Sequence, residues 1–383
     1  MRLLQVLPSI DPEMGGTAES VRQMGMQLVR IGSSVDVATV DNPTESYIRQ
    51  YPLNVIALGP SIANYRYSSR LVPWLQANVG NYDAVIINGI WQYPSFAAWR
   101  VLRGRPIPYY VYPHGMLDPW FKRTYPLKHA KKWLYWPWAD YRVLRDARRV
   151  LFTSEEERRL ARRSFWLYRA REQIAGLGIG PPPANGDELK ERFLRANPAL
   201  QRCRILLFMS RLHKKKGCDL LIESFAKVAA VDPAAHLVMA GPDSVDMLPK
   251  LQGLARRLGL MQRISWPGML LGDMKWGAMY CAEAFVLPSH QENFGIAVAE
   301  ALSCGVPVLI SDKVNIWREI EADGAGLVAP DSREGTERNL RAWLDLDFQR
   351  RTEMRGRASM CFEHRFAVTA AAAALLRILQ QSM

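Results

Sequence analysis

Cysteine is scarce in this sequence: Cys203, Cys218, Cys281, Cys304 and Cys361 are the only five, and no two form a C-x-x-C pair. An odd number in apolar settings argues against a disulfide framework and against zinc-ribbon spacing, and predicts reduced thiols in a cytoplasmic protein. There is no run of about 18 apolar residues, so no membrane-spanning helix is expected. The opening MRLLQVLPSIDPEMGG has too short an apolar stretch for a signal peptide. Acidic residues are also in deficit, 37 Asp and Glu against 50 Lys and Arg, a net charge of +13. The excess is local. Residues 122–163 hold 13 Lys or Arg and 5 Asp or Glu, a net of +8. Charge this concentrated points to an anionic partner: nucleic acid, acidic lipid headgroups or a phosphorylated ligand.

Apolar residues, by contrast, make up 49% of the 383 and fall in short runs. LLQVLP, VDVATV, VIALG, AVIINGI, PYYVYPHG and VLFTS alternate with helical stretches such as TAESVRQMGMQLVRIG. That alternation predicts a parallel sheet with helices on both faces. PPPANGDE, residues 181–188, breaks the pattern, because three prolines and a glycine continue neither a helix nor a central strand. It then restarts with ILLFMS, HLVMAG, RISWPG, AFVLPS and VPVLIS. The expected fold is α/β: two doubly wound, Rossmann-like domains, 1–178 and 179–362, facing across a cleft. Residues 363–383, with the alanine run 370–374, form a terminal helix that packs back on the first domain. Open sheets of this kind bind ligands at the carboxyl ends of their strands.

HQENFGIAVAEALSCGVPVLISD, residues 290–312, sets Glu292 and Glu300 eight positions apart. AFVLPSH reads as a buried strand and GIAVAEALSCG as the helix after it, with Asn293–Gly295 as that helix's first turn. Free N–H groups at such a turn bind anions, and Gly295 admits a close ligand. Eight helical residues separate the carboxylates by about 12 Å and roughly 80°. That exceeds the roughly 5 to 9.5 Å of a glycosidase pair. It suits the two ends of one long ligand with an anionic middle, the shape of a nucleotide sugar. FMSRLHKKKGCDLLIESF, residues 208–225, adds Arg211 and three lysines before Gly217. Arg offers a planar fork to phosphate oxygens and Lys a point charge, so together they can neutralise a diphosphate without a metal. Taken alone, the lysines fit a solvated basic loop equally well.

E-x7-E before G-x-P-V, together with S-R-L-x-x-x-K-G, resembles the retaining nucleotide-sugar glycosyltransferases of family 4, glycosyl transferases group 1, with the GT-B fold. The resemblance implies that Arg211 and Lys216 hold the donor diphosphate, with backbone N–H groups around Asn293, Phe294, Gly295 and Ile296. It implies that Glu292 bonds donor sugar hydroxyls, that Glu300 bonds the ribose, and that Met269 in RISWPGM lines the base pocket. In the first domain it implies that Gly15 and Gly16 face donor and acceptor and that His114 of PHGML approaches the donor sugar; TSEEE, 153–157, matches a further motif. The catalytic set is then Glu292, His114, Arg211 and Lys216. Relatives carry asparagine-glycine-valine-aspartate where this chain has Leu177-Gly178-Ile179-Gly180. Asp345 and Asp347 read as the solvated face of one helix, RNLRAWLDLDFQRRTEM, and not as a metal site.

The implied activity is metal-independent, retaining transfer of a hexosyl group from a UDP- or GDP-linked sugar to a glycan or lipid-linked acceptor, in exopolysaccharide or lipopolysaccharide synthesis. The first domain binds the acceptor and the second the donor. No cofactor is expected beyond the nucleotide sugar as co-substrate. An epimerase, a phosphorylase or a non-catalytic nucleotide-sugar-binding protein are the alternatives. KRTYPLKHAKKWLYWPWADYRVLRDARR, 122–149, mixes basic residues with Trp133, Trp136 and Trp138. It fits an anionic membrane surface, the inner face of the cytoplasmic membrane. It fits as well the core packing of a helix kinked at Pro137. Nucleic acid is not an expected partner, because no recognised module surrounds the charge.

Overall fold

The computed structural model describes residues 1–12, 15–243 and 245–381. The chain divides into two compact units: Met1–Gly180 with Phe366–Met383, and Pro181–Arg365.

Seven parallel strands form the sheet of the first unit: β1 (Arg2–Val6), β2 (Ser34–Thr39), β3 (Asn54–Ala57), β4 (Ala84–Asn88), β5 (Tyr109–Tyr112), β6 (Arg149–Phe152) and β7 (Glu172–Ile174). They lie in the order β3-β2-β1-β4-β5-β6-β7. β4 is buried along its whole length, as a strand covered on both faces should be. β7 was not foreseen, because Glu172-Gln173-Ile174 is short and polar and lies at the sheet edge. After β1 the helix Gly16–Arg30 buries Val21, Met24, Gly25 and Leu28, the i, i+3, i+4, i+7 stripe of an amphipathic helix. The terminal helix Val368–Gln381 packs against it. Residues 177–180 receive this terminal segment: Ile179 N–H donates to Phe366 O at 2.9 Å, and Val368 N–H donates back to Ile179 O at 2.8 Å. A Cβ at Gly178 would lie 2.5 Å from Val368 Cα. The glycine at 178 is therefore a packing requirement.

The basic aromatic window holds the end of the helix Trp120–Thr124 and then two further helices, Pro126–Tyr135 and Asp140–Asp146, with the break between these two at Pro137. Trp136 is fully buried in the core of the first unit, stacked on Phe165 with ring centres 4.3 Å apart. Leu127, Leu134 and Trp138 are exposed. The core reading holds for Trp136, holds in part for Trp133, which is half-buried against the same core, and fails for Trp138. No helix among the described residues is long and apolar enough to cross a membrane.

The second unit has six parallel strands: β8 (Arg204–Met209), β9 (Ala235–Ala240), β10 (Ile264–Gly268), β11 (Ala284–Leu287), β12 (Val308–Ser311) and β13 (Gly326–Ala329). The order is β10-β9-β8-β11-β12-β13. The strand order reverses at β8 and β11, which are adjacent, so the crevice of an open sheet opens beyond their carboxyl ends. β13, at the edge, was also not foreseen. The expected single helix over RNLRAWLDLDFQRRTEM is two, Arg333–Asp345 and Phe348–Cys361. The Asp347 carboxylate ends the run by accepting from Arg350 N–H at 2.8 Å, an N-cap. Asp345 and Asp347 belong to no metal-competent cluster among the described residues.

Candidate active site

Both motifs of the second unit emerge at its switch point. Arg211 follows β8, and residues 214–216 form one 3-10 turn ahead of the helix Cys218–Ala229. Gly217 has φ 65°, and a Cβ there would lie 2.2 Å from Pro288 O. Only glycine lets the basic turn close onto the end of β11. Two donors then seize the Lys215 carbonyl, His290 N–H at 2.8 Å and Ser289 Oγ at 3.0 Å. This clamp turns Lys216 inward, where it is 6% exposed, and its ammonium donates to Glu292 Oε2. Burial opposes the charge on Glu292, but Lys216, with help from Lys215 and Asn293 N–H, outweighs it and holds the carboxyl below its usual range. Arg211 is exposed. Burial, then the charges of Arg211, Lys215 and Lys216, push His213 below its ordinary value. An ammonium has three N–H groups, so the pair with Glu292 leaves two for a ligand.

The helix after β11 starts later than expected. The helix is Ile296–Ser303, with Gly295 before it at φ 77°, so Asn293–Gly295 form the loop and not the first turn. Glu292 is extended, bridged to Val314: its N–H donates to Lys313 O at 2.9 Å, and its carbonyl accepts from Asn315 N–H at 2.9 Å. The loop after β12 therefore positions this glutamate, and the separation expected from one continuous helix does not apply. The first N–H groups of Ile296–Ser303, those of Ile296 and Ala297, have no carbonyl within the helix to bond. Glu300 is on the helix and buried, and Lys275 donates to its Oε1 at 2.7 Å. Lys275, in the helix Gly272–Cys281, had no motif to mark it. Its pairing satisfies one carboxylate oxygen. Met269 is 59% exposed just beyond β10.

In the first unit Gly15 precedes the helix Gly16–Arg30, at the carboxyl end of β1. His114, past β5, takes φ 49°, a conformation that strains any residue but glycine. It is held there from two sides. Glu157, buried in the helix Glu155–Ala161, accepts from Gly115 N–H at 2.6 Å and from Thr153 N–H at 2.7 Å. The imidazole stacks on Tyr112 and contacts Asn88 Oδ1 through Nε2 at 3.0 Å. TSEEE is thus the brace of the His114 turn, and Ser154 caps its helix by accepting from Glu157 N–H. Asn88 carries no sequence signal beyond its place at the end of an apolar strand.

Residues 190–359 match the family model described as Glycosyl transferases group 1, and residues 15–178 match Glycosyl transferase 4-like domain. The chain is 25% identical over 335 residues to the GDP-mannose:cellobiosyl-diphosphopolyprenol alpha-mannosyltransferase of Xanthomonas campestris, covering 86% of this chain and 83% of that protein. It is 32% identical over 161 residues to an uncharacterised glycosyltransferase of Methanocaldococcus jannaschii, 41% of this chain and 40% of that one. Several other curated relatives are matched over half their length or less. Among solved structures, HepE of Anabaena in complex with UDP and glucose superposes with a TM-score of 0.76 over 100% of both chains at 18% identity. That likeness shows the fold, the GT-B architecture.

Proposed function

The chain belongs to the group 1 glycosyltransferases, and from that premise we propose that it moves a hexosyl group from a UDP- or GDP-linked sugar to a lipid-linked glycan, with retention and without a metal. The observation that carries this reading is the Lys216–Glu292 pair, which sets a phosphate-seeking cation directly beside a hydroxyl-seeking carboxylate. A hexosyl diphosphate presents those two chemistries on adjacent atoms. The glycosidic bond from C1 to the phosphate oxygen breaks, C1 bonds to the acceptor oxygen on the same face, and the acceptor proton passes to the departing phosphate. The developing charge on that phosphate is the main obstacle. Arg211, the free N–H groups of Lys216 and the first N–H groups of Ile296–Ser303 stabilise it. Glu292 orients the sugar, and Glu300, held in place by Lys275, accepts from the ribose.

A diphosphopolyprenol acceptor, as in the name of the Xanthomonas relative, would lie at a membrane. The helix Pro126–Tyr135 suits such a surface: Leu127 and Leu134, seven apart and on one face, are 82% and 79% exposed. Trp166, at 83%, adds an aromatic edge, and Lys122, Arg123, Lys128 and Lys131 are exposed around them. The deciding experiment offers UDP- and GDP-hexoses with a polyprenol-linked acceptor extract and follows nucleoside diphosphate release. Release that depends on acceptor, with the anomeric configuration kept, is expected. Donor conversion without acceptor would mean an epimerase, phosphate-dependent turnover a phosphorylase, and binding without turnover a non-catalytic protein.

A further inference from the structure

Three side chains at the carboxyl ends of adjacent strands form a hydrogen-bonded row: Gln5 of β1, Asn88 of β4 and His114 after β5. Gln5 and Asn88 are buried, 2% and 4% exposed. Asn88 Nδ2 donates to Gln5 Oε1 at 2.7 Å and to the Ile86 carbonyl at 3.4 Å. A peptide carbonyl can only accept, so the amide nitrogen faces Ile86 and Oδ1 faces His114. Two acceptors do not bond each other. Nε2 of His114 therefore carries the proton.

We infer that Asn88 is a positioning residue that fixes His114 in its Nε2–H tautomer, so that its bare Nδ1 is an acceptor for a substrate hydroxyl. This rests on the proposed sugar transfer. Burial lowers the His114 pKa to about 4, so at neutral pH the ring holds that single proton. The titratable groups against this turn are Tyr112, stacked on the ring, and Glu157, whose carboxylate is engaged with Gly115 and Thr153 N–H. A bare ring nitrogen accepts from O–H and is repelled by a phosphate oxygen. The row thus selects a neutral hydroxyl at this point of the site.

The test uses the full chain with ¹⁵N-labelled histidine, the His114 signals being assigned by their loss in His114→Gln. In wild type, a protonated Nε2 and a bare Nδ1 are expected from about pH 5.5 to 8, with no titration. Asn88→Leu should release the proton to a mixture of both nitrogens and lower kcat/KM about tenfold, the worth of one oriented hydrogen bond. Asn88→Asp should pull the His114 pKa up, adding an ionisation to the pH–rate profile. A wild-type proton on Nδ1, or an Asn88→Leu spectrum unchanged from wild type, would overturn the inference. If Asn88→Leu does not fold, the wild-type and Asn88→Asp spectra still decide. The spectra need no turnover, so they stand apart from a failure to find transfer with any donor.

Discussion

Lys216 and Glu292 stand 76 positions apart in the chain and form one ion pair in the fold. Lys216→Ala removes a cation from the developing oxyanion, a loss of about 2.7 to 4 kcal/mol. Glu292→Gln keeps the shape but loses the charge that orders the sugar and the lysine. Each should cut transfer by about 100-fold or more, with circular dichroism unchanged for Glu292→Gln. Near-wild-type rates in either would sink the proposed roles. A second pair of residues makes a pH prediction. Asp140 is fully buried, and its pKa is pushed up to about 7 by that burial against the partial relief of Trp91 N–H, Lys132 and Ser95. Lys132, over the Trp91 ring at 4.2 Å, is lowered to about 8 by burial. For Asp140 the folded chain binds the proton more tightly than the unfolded chain. Its contribution is therefore full below about pH 4 and is lost as pH rises through about 7. Asp140→Asn should erase this dependence, a slope of at most about 1.4 kcal/mol per pH unit, in urea titrations from pH 4 to 7. Parallel curves for the two proteins would contradict it.

The helix Pro126–Tyr135 is apolar on two faces. His129 and Trp133 pack toward Phe165, while Leu127 and Leu134 stay in water. Exposed leucines beside lysines are the pattern of an interfacial helix. The protein should float with anionic vesicles at low salt and detach as salt rises, because the attraction is screened over about 8 Å at physiological ionic strength. Lys122, Lys128 and Lys131 changed together to glutamate should abolish flotation and spare transfer to a short soluble acceptor. Lys132 is unsuited to that test, since its ammonium lies against Trp91 and Phe121 and its loss would disturb the core. Wild type that ignores anionic vesicles at low salt would end the membrane reading.

At the scale of the molecule, Arg211, Lys216, Glu292 and Glu300 all belong to the unit Pro181–Arg365. A nucleoside diphosphate at about 100 times its dissociation constant should stabilise the fold that holds it by about 2.7 kcal/mol. A thermal-shift panel of UDP, GDP and their sugars should therefore raise one transition and identify the base. The same shift is expected in EDTA, because the opposing charges are side chains. A shift that appears only with added divalent metal would refute metal independence. The Lys216→Ala protein should lose most of the shift.

The alternation of apolar runs and helical stretches determined two parallel α/β units, because a strand covered on both faces has to be apolar throughout. E-x7-E and S-R-L-x-x-x-K-G singled out Arg211, Lys216, Glu292 and Glu300 through a family resemblance; in the fold the first three lie in the segments that follow β8 and β11, and Glu300 lies on the helix Ile296–Ser303. Only the tertiary structure decided which charges meet. Lys275 finds Glu300, Asn88 finds His114, and Glu157 braces the His114 turn, through contacts between elements that local pattern does not encode. The edge strands β7 and β13 were hidden for the same reason. They owe their extended form to a neighbour's backbone, and a pairing partner leaves no mark in three or four residues of sequence.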